Sequence, residues 1–305
     1  MKINANGSFI LRPKSAEVVL KYANKALREA EAVGELPTPI DKLLEAAGVG
    51  NLKIDEDVKE SFFARLEGSA KQDFKAMWPK IRGIADTQER VTYVDENTTQ
   101  ARILFAKGHE LGHEVLPWHT INPCYLDDDK ILIGDAKEIF DAEANFFSAE
   151  VIFQGDNFAR MVRDYPVEFD SVFDLAKIHS ASFHATAWRY VEEQDGAVAL
   201  LTYWPSKFNP EILRLGKNAA SPRFLRKFNS INIPQQLTQN QDWMAAYYSG
   251  LVHNDMISLD CAIGTFRFEW EAWWSSYTLF VILRHKPKLH LNRDFAEKIS
   301  VGSQR

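Results

Sequence analysis

The sequence HELGH at residues 109–113 constrains the fold of this chain more than any other feature. A helix is predicted over ARILFAKGHELGHEVL, because apolar residues recur there at helical spacing and residues 97–99 offer N-caps. One helical turn separates His109 from His113, so both imidazoles project from one face of that helix and can share one metal ion. About 0.015 such matches are expected by chance in a chain of this length and composition. The motif therefore predicts a zinc site.

The glutamate of the motif supplies the chemistry that accompanies such a site. Zinc lowers the pKa of a bound water to about 7, and a neighbouring carboxylate can take the proton and later deliver it to a leaving amine. Glu110, which directly follows His109, is the residue that we expect to carry out this proton transfer. Peptide hydrolysis is the reaction that this arrangement commonly serves.

A catalytic zinc needs a third protein ligand and one open position. His119 follows His113 at the metzincin spacing, but Leu116 stands where that motif needs a turning glycine. Glu143 lies on an apolar stripe of a second predicted helix, and buried carboxylates are rare unless they are paired or metal-bound. We therefore favour Glu143 over His119. Glu150, two turns further on, is the reserve candidate, and its alternative interpretation is a helix-end carboxylate in solvent.

Secondary structure is predicted around this centre from periodicity, caps and turns. The predicted elements are a helix over 16–33 ended by Gly34, a helix over 39–47 with Thr38 as N-cap and Gly48 as C-cap, a hairpin of 81–86 with 90–95, a loop over 117–135 containing the acidic run 127–129, a helix over 136–153, further helices to 193, and a β-rich part after 196.

These residues support a family resemblance. RILFAKGHELGHEVL followed by EANFFSAEVIF resembles the ImmA/IrrE family of metallopeptidases, whose pattern is an arginine and a phenylalanine before HExxH and then EAN-x-F. The matching positions are Arg102, Phe105, His109, Glu110, His113, Glu143, Ala144, Asn145, Phe147 and Glu150. The resemblance covers residues 15–194. It implies a zincin-like fold, one Zn²⁺ per chain held by His109, His113 and Glu143, and Glu110 as the acid–base residue.

Several positions depart from the pattern of the family. Lys107 and Glu114 are charged where zincins usually keep uncharged residues, and Gly108 takes the place of a small or apolar residue. Ser148 replaces an alanine, and residues 153–154 replace the usual Met-Pro. These changes leave the expected ligands intact and affect the finer shape of the active-site wall.

The expected architecture is α+β with three parts. Residues 1–160 are expected to form the zincin-like metallopeptidase domain, a small sheet with the active-site helices. Residues 161–194 resemble a helix-turn-helix-like segment, with Ser182 as N-cap of its second helix. Residues 195–305 are expected to be β-rich. In radiation-response members of the family the corresponding part is a GAF-like domain, but aromatic stripes are usually core, so no ligand is predicted for it.

The composition limits the cellular compartments and the kinds of partner that we expect for this protein. The net charge of −6 argues against a general nucleic-acid coat. Two cysteines without a CxxC motif fit a reducing cytoplasm, and no stretch is long and apolar enough to span a membrane. The helix-turn-helix-like segment has only Lys177 and Arg189 as permanent cations, and the basic stretch 214–227 is interpreted as a solvated face. Direct DNA binding is therefore disfavoured.

Two functions follow from these features. The first is a cytoplasmic zinc endopeptidase; the family resemblance implies limited proteolysis of a partner, a DNA-binding transcriptional repressor, to induce a stress or mobile-element response. The second is a regulatory protein without protease activity, in which a closed structural zinc site accompanies binding of DNA or sequestration of a repressor.

Overall fold

The structure is a computed structural model, and it describes residues 13–53, 60, 83–86, 90–94, 96–119, 130–228 and 231–285. These parts form a mixed helix and sheet fold, as the α+β expectation required. The helices are α1 (Ala16–Glu29), α2 (Ile40–Ala46), α3 (Gln100–Val115), α4 (Lys130–Phe153), α5 (Asp156–Asp164), α6 (Phe169–Ile178), α7 (Phe183–Glu192), α8 (Pro222–Phe228) and α9 (Met244–Ser249). The strands are β1 (Gly50–Lys53), β2 (Gly83–Asp86), β3 (Val91–Val94), β4 (Val198–Pro205), β5 (Leu213–Ala220), β6 (Gln236–Leu237), β7 (His253–Cys261), β8 (Gly264–Trp274) and β9 (Leu279–His285).

The ends of the first two helices show which of the predicted capping residues begin or end a helix. α1 ends four residues before the predicted boundary at 33, and Glu31 just beyond it has a left-handed φ of 52°. Gly48, with φ of 67°, ends α2 as predicted. The prediction that Thr38 caps α2 is wrong. Its hydroxyl instead donates a hydrogen bond of 2.8 Å to the carbonyl oxygen of Val151 on α4.

The loop predicted over 117–135 is shorter than expected at both ends. Pro117–His119 form a 3-10 turn directly after α3, and α4 begins at Lys130 rather than at 136. The acidic run 127–129 and Cys124 lie outside the described residues.

The smaller sheet has the strand order β1-β3-β2. β2 and β3 pair antiparallel, which confirms the predicted hairpin. β1 pairs parallel with β3 and was not predicted. Its four residues carry too few apolar positions to give an alternating pattern.

The motif helix α3 packs closely against α4 because two of its residues are glycines. A Cβ at Gly112 would lie 3.2 Å from the Cα of Ala144, and one at Gly108 would lie 2.6 Å from the Oγ of Ser148. Ser148 uses the same space to donate a 2.8 Å hydrogen bond to the carbonyl oxygen of Phe105. The two departures from the family pattern at positions 108 and 148 therefore accompany each other, because the side chain of Ser148 occupies the space that Gly108 leaves free.

The larger sheet is antiparallel, with the order β6-β5-β4-β9-β8-β7. It confirms the β-rich part expected after 195. Its central strands are buried on both faces: on β4, Leu200 belongs to the core shared with the helices, whereas Leu201 belongs to a second core with α8 and α9. Among the described residues, none of the helices combines the length and apolar character needed to cross a membrane.

The predicted helix-turn-helix-like segment corresponds to α6 and α7, and it packs on the larger sheet. Ser182 caps α7 as predicted, since its Oγ accepts a hydrogen bond from the backbone N–H of Ala185. Phe173 and Phe183 meet Trp273 at ring-centroid distances of 4.9 and 4.5 Å. The interface of these helices is thus already filled by the protein itself.

Candidate metal centre

The two histidines of the motif converge as the sequence predicted. His109 and His113 lie one turn apart on α3, and their Nε2 atoms are 3.2 Å apart. Two nitrogens bound tetrahedrally to zinc at about 2.1 Å lie about 3.4 Å from each other. The spacing of the two Nε2 atoms therefore fits one shared metal ion.

Each of these imidazoles is oriented through its other nitrogen. The Nδ1 of His109 lies 3.0 Å from the Oδ1 of Asn145, and the Nδ1 of His113 lies 3.0 Å from the Nδ1 of His119. Because a carbonyl oxygen can only accept, Nδ1 of His109 carries the proton and its Nε2 keeps a lone pair.

His119, the alternative ligand, sets the tautomer of His113. Its side chain is 1% exposed and stacks on Phe140 at a centroid distance of 4.5 Å. Its Nε2 lies 2.8 Å from the Oε2 of Glu143. An ionised carboxylate only accepts, so Nε2 of His119 donates and its Nδ1 accepts from Nδ1 of His113. The Nε2 of His113 then also presents a lone pair toward His109.

Glu143, the predicted third ligand, is buried beside this pair and does not touch the two Nε2 atoms directly. Besides His119, it accepts hydrogen bonds from the indole N–H of Trp118 at 2.6 Å and from the hydroxyl of Ser15. Burial alone would raise the pKa of Glu143, but the hydrogen bonds from Ser15, Trp118 and His119 together lower it. The carboxylate is therefore ionised at neutral pH.

The histidines do not neutralise that charge. Burial lowers the pKa of His109 and of His119, and it lowers the pKa of His113 to about 3, with the neighbouring histidines adding to the effect. All three are neutral at pH 7. Within the described residues, no lysine or arginine forms an ion pair with Glu143. The centre holds a buried negative charge and two converging lone pairs, which is the donor set that a divalent cation requires.

Asp141 also belongs to the centre, and the sequence reasoning missed it. One carboxylate oxygen lies 3.7 Å from the Nε2 of His113, and ligand atoms of His109, His113 and Asp141 all lie within 4.8 Å of one another. The Asp141 side chain is 46% exposed. A usable signal existed: Asp141 and Asn145 are four residues apart, so both lie on the face of α4 that meets the motif histidines.

Glu110 is placed by the same helix. It follows His109 directly on α3 and is buried, with 7% of its surface exposed. Carboxylates are seldom buried this fully in proteins without a specific role or partner. The acid–base role of Glu110 stays a prediction of the motif, since its burial alone does not assign a role.

Glu150, the reserve ligand, does not lie at this centre. Its Oε1 is 2.6 Å from the Nη1 of Arg189, and only 2% of its side chain is exposed. The alternative interpretation, a helix-end carboxylate in solvent, is wrong. Glu150 instead anchors α4 to α7 through a buried ion pair, which Glu193 extends at 3.0 Å from Nε of Arg189.

The charged residue before the motif has a structural explanation. Lys107 is 9% exposed, and its ammonium group lies 2.8 Å from a carboxylate oxygen of Asp41 on α2. The pair ties α2 to the back of α3. The departure at 107 therefore does not enter the centre between the histidines.

α7 has few side chains that are accessible for contact with a DNA duplex. All of its residues, Phe183–Glu192, are buried or half-buried. Arg189 is committed to Glu150 and Glu193. A recognition helix must enter the major groove with free side chains, so the structure agrees with the expectation that this segment is a packed helix pair.

Comparison with known proteins gives a fold relationship. A scan against protein-family models yields no match, and a search of curated proteins yields none. Among solved structures, the chain is similar to one described as a Mycobacterium tuberculosis transcriptional regulator, with a TM-score of 0.53 and 12% sequence identity. The similarity covers 88% of this chain and 76% of that chain. At this identity the likeness concerns the fold alone.

Proposed function

We propose that this chain is a zinc-dependent endopeptidase of the ImmA/IrrE type that cleaves a partner protein. One observation carries the proposal: two neutral histidines direct their lone pairs at each other across 3.2 Å beside a buried, ionised glutamate. Without a cation, the two lone pairs repel each other, and within the described residues the carboxylate is stabilised by three hydrogen bonds but by no lysine or arginine. The residues present fit a zinc ion.

We assign the metal to His109 and His113 through Nε2 and to Glu143. In the structure, Asp141 is the carboxylate whose oxygen lies within 4.8 Å of the ligand nitrogens of both histidines. We nevertheless propose Glu143 as third ligand because it is buried, whereas half-exposed carboxylates such as Asp141 are common without a metal. Zn²⁺ bound there would supply a Lewis acid that polarises a carbonyl and lowers the pKa of a water to about 7.

The protein's own residues have defined tasks in this proposal. Asn145 and His119 hold the two imidazoles in the tautomer whose Nε2 is free to bind. Glu110 takes a proton from the attacking water and returns it to the leaving amine nitrogen. His119 meets His113 at Nδ1, on the far side from Nε2, which favours an open catalytic site over a closed structural one.

The proposed substrate is a DNA-binding transcriptional repressor, cut at a limited number of bonds in the cytoplasm to induce a stress or mobile-element response. This part rests on the residues shared with the ImmA/IrrE family. The alternative, a regulator that binds DNA without proteolysis, is less favoured because α7 is packed against the rest of the fold.

A comparison of two variants tests the activity. Cells expressing the wild type or Glu110→Gln are compared by mass spectrometry of protein N-termini, with the exposed Glu138→Gln on α4 as control. We expect new N-termini in one or a few proteins with the wild type and the control. With Glu110→Gln we expect their loss, by about 100-fold or more, while bound zinc is retained.

Two outcomes would contradict the proposal. If Glu110→Gln produces the same fragments in the same amounts as the wild type, Glu110 is not the acid–base residue. If the zinc-loaded wild type produces no new N-terminus, and a purified repressor associates with it without being cut, the chain is a sequestering protein rather than a protease.

A further inference from the structure

A cavity lies where α3 and α7 meet the larger sheet. It has a volume of about 450 Å³, within the range of about 300–1,000 Å³ usual for small-molecule sites. Arg102 of α3, Phe183 and His184 of α7, Trp204 of β4 and Tyr277 of the β8–β9 turn line it. None of the residues assigned to the metal centre is among its described lining residues, and its inner wall, Phe280, belongs to the core shared by the helices and the larger sheet.

One wall of the cavity is a tryptophan fixed in place from behind. Trp204, the last residue but one of β4, is 40% exposed, which leaves much of a large apolar side chain in solvent. It lies across Gly216 of β5, where a Cβ would be 2.1 Å from its indole nitrogen and 2.5 Å from Cδ1. A side chain at 216 would displace the ring. The glycine therefore provides a flat, open aromatic surface beside the cavity.

Further aromatic groups surround the same space. The ring of His184 lies 6.0 Å from that of Trp204, and Tyr277 stands at the rim with 77% of its surface exposed. Phe280 closes the inner end and is 2% exposed. A planar ligand would therefore lie among several aromatic side chains, with which it could stack or make edge contacts.

The charges at this cavity are positive, in a chain whose net charge is −6. Arg102 is exposed, and its guanidinium makes no hydrogen bond or ion pair with the described part of the chain. Arg214 is exposed and lies directly opposite Trp204 in the β4–β5 register. Lys217 is close enough to His184 to lower the pKa of that imidazole further. None of the lining residues that the structure describes is acidic.

We propose that this cavity binds a small molecule that combines a flat aromatic ring with an anionic group, the ring stacking on Trp204 and the anion pairing with Arg102. Aromatic stacking and an arginine contact together recognise that chemistry. Two kinds of compound carry it, nucleoside monophosphates and aromatic carboxylates. The proposal goes beyond the peptidase function and does not depend on it.

Isothermal titration calorimetry on the full chain tests it. The probes are AMP and GMP for nucleotides and indole-3-acetate for aromatic carboxylates, with adenosine and inorganic phosphate as partial ligands. We expect one of the two charged aromatic classes to bind with one site per chain. The partial ligands should bind at least about ten-fold more weakly, because each lacks one of the two contacts.

Variants locate the site. Trp204→Ala and Arg102→Gln should each weaken binding by about ten-fold or more, and Gly216→Ala should do so by displacing the indole. Phe208→Ala is the matched control, since Phe208 is a 92% exposed aromatic residue outside the cavity lining and should leave binding unchanged. Thermal unfolding verifies that each variant is folded.

The proposal is overturned if none of the three charged probes binds at about 5 mM. It is also overturned if they bind Trp204→Ala and Arg102→Gln as they bind the wild type. Binding of an oligothymidylate of eight residues more tightly than either mononucleotide would assign the surface to single-stranded nucleic acid instead. Should Trp204→Ala fail to fold, the exposed Arg102→Gln decides the result alone.

Discussion

At the scale of single residues, buried polar side chains connect the helices that surround the candidate metal centre. Gln154, at the end of α4, is 5% exposed. Its amide group accepts from the backbone N–H of Gly34 at 2.7 Å and donates to the carbonyl oxygens of Ala32 and Glu35 at 3.1 and 3.0 Å. The loop between α1 and α2 is thereby attached to α4, which carries the proposed third ligand.

His184 gives a prediction at this scale, since burial and, to a smaller extent, the charge of Lys217 together lower its pKa to about 4. In the unfolded chain its pKa is about 6.5. Between pH 6.5 and 4, His184 is protonated in the unfolded chain but not in the folded chain. The free energy of unfolding therefore falls as the pH is lowered through that range. The loss should be about 1–2 kcal/mol between pH 7.5 and 5, after allowance for partial exposure.

Urea denaturation of the wild type and of His184→Gln at both pH values, with chelator present, measures this loss. The variant cannot take up the proton, so its stability should change less with pH than that of the wild type. Equal pH dependence in the two proteins would show that His184 does not contribute.

Sequence reasoning located the residues of the motif and candidates for its neighbours, but not the long-range contacts that hold its helix in place. HELGH is local, and helical spacing alone brings His109 and His113 together. Asp41, which pairs with Lys107, lies on another helix. The residue spacing within each helix does not predict which helices pack against each other, so this contact could not be predicted. The same holds for the contact of Gln154 with the α1–α2 loop.

At the scale of elements, the close contact of α3 with α4 holds the centre together. Gly108→Ala would place a methyl group 2.6 Å from the Oγ of Ser148, so it should destabilise the protein by about 1–3 kcal/mol. Ser148→Ala removes that oxygen. In the Ser148→Ala background, the cost of Gly108→Ala should therefore be smaller by about 1 kcal/mol or more.

A double-mutant cycle measured by urea denaturation tests this contact. The signature is the coupling between the two substitutions rather than either single loss. Strictly additive losses would show that positions 108 and 148 do not compete for the same space.

The prediction of elements succeeded where periodicity was strong. α1, α3 and α4 were expected at about their observed positions, and the strands β4 to β9 lie in the part that was expected to be β-rich. β1, β6 and the 3-10 turn at 117–119 were not, because segments of two to four residues are too short to establish a period. Their conformation is set by the sheets and helices against which they lie.

At the scale of the whole molecule, one hydrophobic core joins the helices to the larger sheet. It contains Phe147 and Trp188 together with Leu200 and Ile282 of the sheet. A buried glutamate adds a polar link, since Glu271 of β8 accepts a 2.7 Å hydrogen bond from the first backbone N–H of α6.

We therefore predict that the metal-free chain unfolds in one cooperative transition. Far-UV circular dichroism follows the helices, and tryptophan fluorescence reports mainly on the sheet. Their urea transitions should coincide within error. Two separate midpoints would mean that the helical part and the sheet are independent units.

The fold class could be predicted, but the relation of the parts could not. The change from helical to alternating patterns near residue 195 indicated an α+β chain. That Leu200 and Leu201 face different cores follows only from the strand order β6-β5-β4-β9-β8-β7, which places β4 in the middle of the sheet.

The metal content of the purified chain tests the central claim most directly. Elemental mass spectrometry after zinc loading and dialysis should find about one zinc per chain in the wild type and in Asp141→Asn. His113→Ala and Glu143→Gln should lose most of it, because each removes a ligand. Zinc retained by Glu143→Gln but lost from Asp141→Asn would replace Glu143 by Asp141 as third ligand, and a wild type that holds no zinc would contradict the proposed metal centre.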